Sequence, residues 1–119
     1  MTRYRSFGDF WPHYLREHSR AATRRLHYTG TGLVLAFAAA AAASGDWRLV
    51  AAVPLAGYGF AWFSHVAVER NRPATFTHPL WSLVADFRMA WLWATGRLGS
   101  ELVKAGVEPE PRKGEGDAR

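Results

Sequence analysis

Two stretches decide how this chain folds: LHYTGTGLVLAFAAAAAAS at residues 26–44 and LVAAVPLAGYGFAWFSHVAV at residues 49–68. Neither contains Asp, Glu, Lys or Arg. At 1.5 Å per residue, each is about long enough as a helix to cross a hydrocarbon core of roughly 30 Å. Only Gly45-Asp46-Trp47-Arg48 lies between them, so they predict two antiparallel spans closed by a tight turn. The first is alanine-rich, with Leu26, Leu33, Val34, Leu35 and Phe37 as its strongly apolar side chains. The second carries Pro54, Gly57, Gly59 and several aromatics. Small residues along both, Gly30, Gly32, Gly57 and Gly59 among them, allow close approach of two helices.

Outward from this hairpin, residues 6 to 18 read as an amphipathic helix. Phe7, Phe10, Trp11, Tyr14, Leu15 and His18 recur at steps of three and four. Ser6 or Asp9 suits its cap, and Pro12 fits best in a first turn. A basic, aromatic helix of this kind lies flat in the head-group layer, or packs as a surface helix of a soluble bundle. After a loop marked by Pro73 and Pro79, residues from about 81 to 98 predict a third helix. Arg88 and Arg97 bracket too short an apolar stretch for a comfortable crossing, which favours an interfacial or re-entrant helix. The fold class is therefore all-α: a two-helix transmembrane hairpin with flanking interfacial helices, one domain over residues 1–107. The Glu-, Pro-, Lys- and Gly-rich tail over 108–119 reads as disordered.

The chain has 119 residues, 49% of them hydrophobic, and no cysteine. Disulfides, zinc–thiolate sites and thiol nucleophiles are thus excluded. Mean hydropathy is only −0.17, much of it owed to the polar ends. The formal charge of +5 favours anionic partners, with acidic lipid head groups ahead of nucleic acid, for which no binding motif is present. Arg3, Arg5, Arg16, Arg20, Arg24 and Arg25 precede the first span, and Arg70, Arg72 and Arg88 follow the second. The positive-inside rule then predicts a multi-pass membrane protein with both termini cytoplasmic. No cleavable signal peptide is expected, because the first apolar run starts only after a polar, aromatic segment.

The histidines point to chemistry. His27 sits just inside the first span and His65 near the end of the second, so an antiparallel hairpin brings them to similar depth. His18 ends the flanking helix and His78 starts the return segment, at the same edge. Histidine is a common metal ligand and costly at membrane depth without a partner. Glu69, Glu17 and Asp86 are carboxylates that serve as ligands or as acceptors orienting an imidazole. Glu69 is equally a salt-bridge partner for Arg70 and Arg72. Such a thiolate-free set suits Fe(II), Mn or Zn. Arg72, held by Pro73, either clamps a substrate carboxylate or meets a lipid phosphate. His13 falls on the polar side of its helix and reads as solvated. A bland alternative stands throughout: interfacial histidines hydrogen-bonded to backbone.

The segments 14–19, 25–31, 57–65 and 69–83 resemble a family of small membrane proteins whose fungal member is a 2-hydroxy fatty acid dioxygenase of phytosphingosine breakdown. The resemblance covers about residues 6 to 93. Its most specific piece is Asn71-Arg72-Pro73-Ala74-Thr75-Phe76 with the downstream His78-Pro79. Ser64 departs from the pattern, which has glycine there. The resemblance implies an Fe(II)-dependent enzyme that uses O₂ to shorten a 2-hydroxy fatty acid by one carbon. It implies His18, His27, His65 and His78 as the metal-binding set. Arg72 and Glu69 are the candidate catalytic side chains, with Arg72 or Arg88 neutralising the carboxylate. Membrane lipids are further expected partners, and a homo-oligomer is left open. The alternatives are a non-catalytic lipid-binding or scaffold protein, and a metalloenzyme of different chemistry such as a zinc hydrolase.

Overall fold

A computed structural model describes residues 4–108, which are helical with no strand. The C-terminal expectation at 109–119 lies outside the described residues. Helix α1 spans Phe7–Arg16, α2 Ala21–Ser44 and α3 Trp47–Phe63. A π-helical segment, Ser64–Glu69, prolongs α3, and a 3₁₀ turn covers Ala74–Phe76. Helix α4 spans Pro79–Ala94 and α5 Leu98–Ala105.

The hairpin is α2 against α3. Its turn follows from two residues. Gly45 adopts φ +72°, where a Cβ is disfavoured, and its N–H donates to the Ala41 carbonyl at 2.8 Å. Asp46 then caps α3, accepting from the Arg48 N–H at 3.0 Å. Helix α2 begins five residues before the apolar run. Arg24 and Arg25 end the apolar pattern but not the helix, since both favour helical backbone. At Gly30 a Cβ would stand 3.0 Å from Phe60 Cβ and 3.3 Å from the Ala56 carbonyl oxygen, so α2 and α3 meet there backbone to backbone.

Both helices are long and apolar enough to cross a membrane, and only 17% and 22% of their most apolar windows are buried. The core helix of a soluble protein would be covered. Here Leu35, Leu55, Phe63 and Val66 are 58–76% exposed. Uncovered apolar faces on self-satisfied helical backbone are what a hydrocarbon solvent permits.

The packed core lies beside the hairpin. Phe10, Trp11, Tyr14 and Leu15 of α1 meet Ala85, Met89 and Leu92 of α4 and Leu98 and Ala105 of α5. Pro12 falls in the second turn of α1, not the first, because Ser6 caps the helix at Phe7 by accepting from the Asp9 N–H at 3.1 Å. The helix expected over 81–98 is divided. Pro79 opens α4 as its first residue. Gly96, at φ +73°, ends it, with the Arg97 N–H donating to the Leu92 carbonyl at 2.8 Å. Helix α5 then folds back onto α1, where Trp11 Nε1 donates to Glu101 Oε2 at 3.4 Å.

Candidate metal centre

Three of the histidines converge from three elements. His18 lies just past α1, turned inward by its N–H bonding the Leu15 carbonyl at 3.0 Å. His27 is on the second turn of α2. His65 sits on the π-helical segment, a widened turn that commonly marks functional positions. Arg70, at φ +59°, closes that turn in the left-handed region, and the Asn71 N–H reaches back to the His65 carbonyl at 2.9 Å. A non-glycine residue held there by its surroundings is a local strain that the site retains.

The hydrogen bonds fix which nitrogens face inward. His18 Nδ1 lies 2.6 Å from the Tyr14 carbonyl and His27 Nδ1 3.0 Å from the Thr23 carbonyl, so both Nδ1 atoms donate. His65 Nδ1 donates to Asn71 Oδ1 at 2.6 Å. The amide orientation of Asn71 is set by its Nδ2, which donates to the Glu17 carbonyl at 3.0 Å and to the Glu17 carboxylate. Ser64 Oγ donates to the Ala61 carbonyl at 2.6 Å and stands 3.1 Å from His27 Nδ1 as a second acceptor. The serine that replaces the expected glycine is thus absorbed into the support of His27. With all three Nδ1 protons committed to those acceptors, the three Nε2 atoms are left bare, and those of His18 and His27 face each other.

That arrangement fits a metal ion. One ligand nitrogen from each of His18, His27 and His65 lies within 4.8 Å of the others, and all three residues are buried. His18 Nε2 and His27 Nε2 are 3.0 Å apart. Two lone pairs at that distance repel unless a cation lies between them. Two imidazole nitrogens bound at roughly 2.1 Å to one ion, at a right angle, would be about 3.0 Å apart. The small chamber that they share with Tyr14, Ser82 and Asp86 has a volume of about 10 Å³, room for one water-sized occupant. Burial, and then the neighbouring His27 and His65, hold His18 well below the ordinary imidazole pKa, so it is neutral and ligand-ready at neutral pH.

Asp86 of α4 borders the chamber, with Oδ1 4.0 Å from His27 Nε2. It accepts a short hydrogen bond from the Tyr14 hydroxyl, whose ring stacks on His18 at 4.0 Å. Burial pushes the Asp86 carboxyl up to about 7, partly opposed by the Tyr14 bond. Burial and the adjacent carboxylate push the Tyr14 phenol above its usual value. Asp86 and His27 also line the head of an apolar groove of about 240 Å³ between α2, α3 and α4.

The other candidates lie elsewhere. His78 stands outside the trio, its ring stacked on Trp81 at 5.6 Å and 4.9 Å from that of Phe10, with Nδ1 2.9 Å from Thr77 Oγ1. Glu69 accepts from Ser19 Oγ at 3.0 Å and from the Arg20 N–H, clasping the α1–α2 connection. Arg72 is exposed, 5.4 Å from the centroid of the Phe76 ring. It borders a polar pocket with His13, Glu17 and His78. Arg88 lies 4.7 Å over Trp11. Among these side chains, none faces the chamber. Spacing and residue type give Tyr14 and Asn71 no role at a metal site. Asn71 lay inside the most specific segment, but its pairing with His65 depends on a left-handed turn that no residue type announces.

A small all-α protein with three clustered histidines beside two helices long and apolar enough to span a membrane defines a class of candidate metal-binding protein. Residues 4–98 match the Mpo1-like family, described as 2-hydroxy-palmitic acid dioxygenase Mpo1-like, and the chain belongs to that family. No curated protein and no solved structure matches it.

Proposed function

We propose that this protein is an Fe(II)-dependent dioxygenase that shortens 2-hydroxy fatty acids by one carbon. The observation that carries the reading is the trio of Nε2 lone pairs whose Nδ1 atoms are all tied outward, within the family that the sequence defines. His18, His27 and His65 would hold the ion, and Fe(II) when bound would supply O₂ activation beside a chelated substrate. Three ligands would leave positions open for both.

The chain's own residues prepare that chemistry. Tyr14 and Thr23 carbonyls and Asn71 lock the three rings, so no rotamer search precedes binding. Asp86 is the nearest carboxylate and can accept the proton of a substrate hydroxyl arriving at the head of the groove. Tyr14 holds Asp86 in place. Buried walls exclude bulk water. His78, Glu69 and Arg72 act at one remove: His78 and Glu69 brace the elements that carry the trio, and Arg72 meets lipid phosphate or the departing carboxylate at the polar surface. In this reading the two spans cross the membrane with both termini cytoplasmic, the orientation that the arginine distribution favours.

The test is purified protein in lipid nanodiscs, loaded with Fe(II) and given 2-hydroxypalmitate with and without O₂. Loss of substrate that needs both metal and O₂, and disappears in His27→Ala and His65→Ala, is the expected result. Metal-loaded, folded protein that leaves the substrate intact overturns it. Hydrolytic turnover with zinc and without O₂ would instead assign a hydrolase.

A further inference from the structure

The apolar groove explains more than access to the trio. Its α2 wall is His27, Thr31 and Val34, on one face and spread over two turns, about 10 Å along the helix. Its α3 wall includes Val53, Pro54 and Gly57. At Gly57 a Cβ would stand 3.1 Å from Val34 Cγ2, so the α2 and α3 walls come together there and leave no room for a larger side chain. One flank is open: Leu83, Tyr58 and Phe87 line the groove and are 45%, 40% and 39% exposed. That flank belongs to the uncovered apolar faces, and the inner end belongs to the metal chamber through His27, Asp86 and Ala61.

We propose that this groove receives the acyl tail of the substrate sideways from the bilayer, and that Val34, Val53 and Gly57 select its length. The proposal rests on the lipid-acid reading above. An acyl tail is the occupant because the groove is lined mostly by apolar side chains, with Thr31 and Tyr58 the hydroxyl-bearing residues away from His27 and Asp86. A tail arriving from lipid gains little from burial, since lipid is as apolar as the groove. Discrimination must therefore come from shape. A side chain that closes the far end penalises long tails and spares short ones, and a difference of one methylene in such a pocket gives roughly 10–200-fold selectivity.

The experiment needs no turnover. Metal-free protein in phosphatidylcholine nanodiscs is irradiated with a 2-hydroxy fatty acid bearing a mid-chain diazirine, and labelled peptides are mapped. Label on groove residues of α2 and α3 is expected; label confined to outward residues such as Leu35 and Leu55 overturns the proposal. Unlabelled 2-hydroxy acids from octanoate to stearate then compete. Val34→Phe and Gly57→Val should shift the preferred competitor to shorter chains by at least about tenfold. Val34→Ala, which only removes volume, should shift it toward longer ones. Retained metal stoichiometry shows each variant is folded. A length profile unchanged in the folded variants overturns the proposal. Labelling in the groove without any turnover of the loaded enzyme would sink the dioxygenase reading and leave the tail site standing.

Discussion

Asn71 is one of the least conspicuous residues of the site and one of the most consequential. Its carbonyl takes the His65 Nδ1 proton, and its amino group is pinned by Glu17. Removing a partner that fixes a ligand imidazole typically costs 10–100-fold in metal affinity. Asn71→Ala should therefore weaken Fe(II) or Zn(II) binding by about that factor, read by competition with a chelator, while the helical circular dichroism is unchanged. Wild-type affinity in that variant would show that the π-helical backbone alone orients His65.

Asp86 gives a pH dependence with a definite sign. Its carboxyl is raised to about 7 in the folded chain, from an ordinary value near 3.8. A raised acid contributes stability that is full below about 3.8 and lost as pH rises through about 7. His18 acts in the opposite sense. Its pKa is lowered by burial, so its contribution is present above the ordinary imidazole value of about 6.5 and is lost as pH falls. Asp86→Asn removes the first effect and keeps the second. The melting temperature of metal-free Asp86→Asn minus that of the parent should grow from about pH 4 to about pH 7 and then level off. A difference that does not change with pH would mean that Asp86 is ionised in the metal-free protein.

At the scale of elements, the hairpin depends on the absence of a side chain. Gly30 lies against Phe60 Cβ and the Ala56 carbonyl, and neither is the flexible end of a side chain. Gly30→Val must push α3 away from α2, at about 1–3 kcal/mol by analogy with overpacked cores. Because His27 and His65 are carried by these two helices, metal binding should fall along with the melting temperature. Gly32, whose Cβ would meet nothing within 4 Å, is the control: Gly32→Val should leave both unchanged. Both glycines are read from sequence as packing residues, and only the contact geometry separates them. The division of α4 from α5 was similarly hidden. Residues on both sides of Gly96 continue an apolar pattern, and its left-handed φ is what turns α5 back onto α1.

At the scale of the molecule, one layer is packed like a soluble core and the other presents bare apolar faces. That asymmetry suits a protein seated in a bilayer, with α1, α4 and α5 gathered around one end of the hairpin. Expressed protein should stay with the membrane fraction through alkaline carbonate and high salt, and be released only by detergent. Release by carbonate alone would place the helices on the surface rather than across it.

What the sequence determined by itself was the periodic and the additive. Two uncharged runs of spanning length, a Gly45-Asp46 turn between them and an aromatic face on α1 follow from residue type and spacing alone. An antiparallel hairpin necessarily returns His27 and His65 to one end. The tertiary structure decided what depends on direction. His78 immediately precedes α4 at the same edge as the others, but its ring turns toward Phe10 and Trp81. Glu69 has the right charge and the right neighbourhood, yet its carboxylate is engaged by Ser19 and Arg20. His65 reaches the trio through a π-helical turn and a left-handed Arg70, and Asp86 reaches it because α4 packs across the hairpin. Sequence spacing fixes how far along a helix a side chain lies. Which nitrogen it presents, and to what, is settled by packing and by the hydrogen bonds that hold its other side.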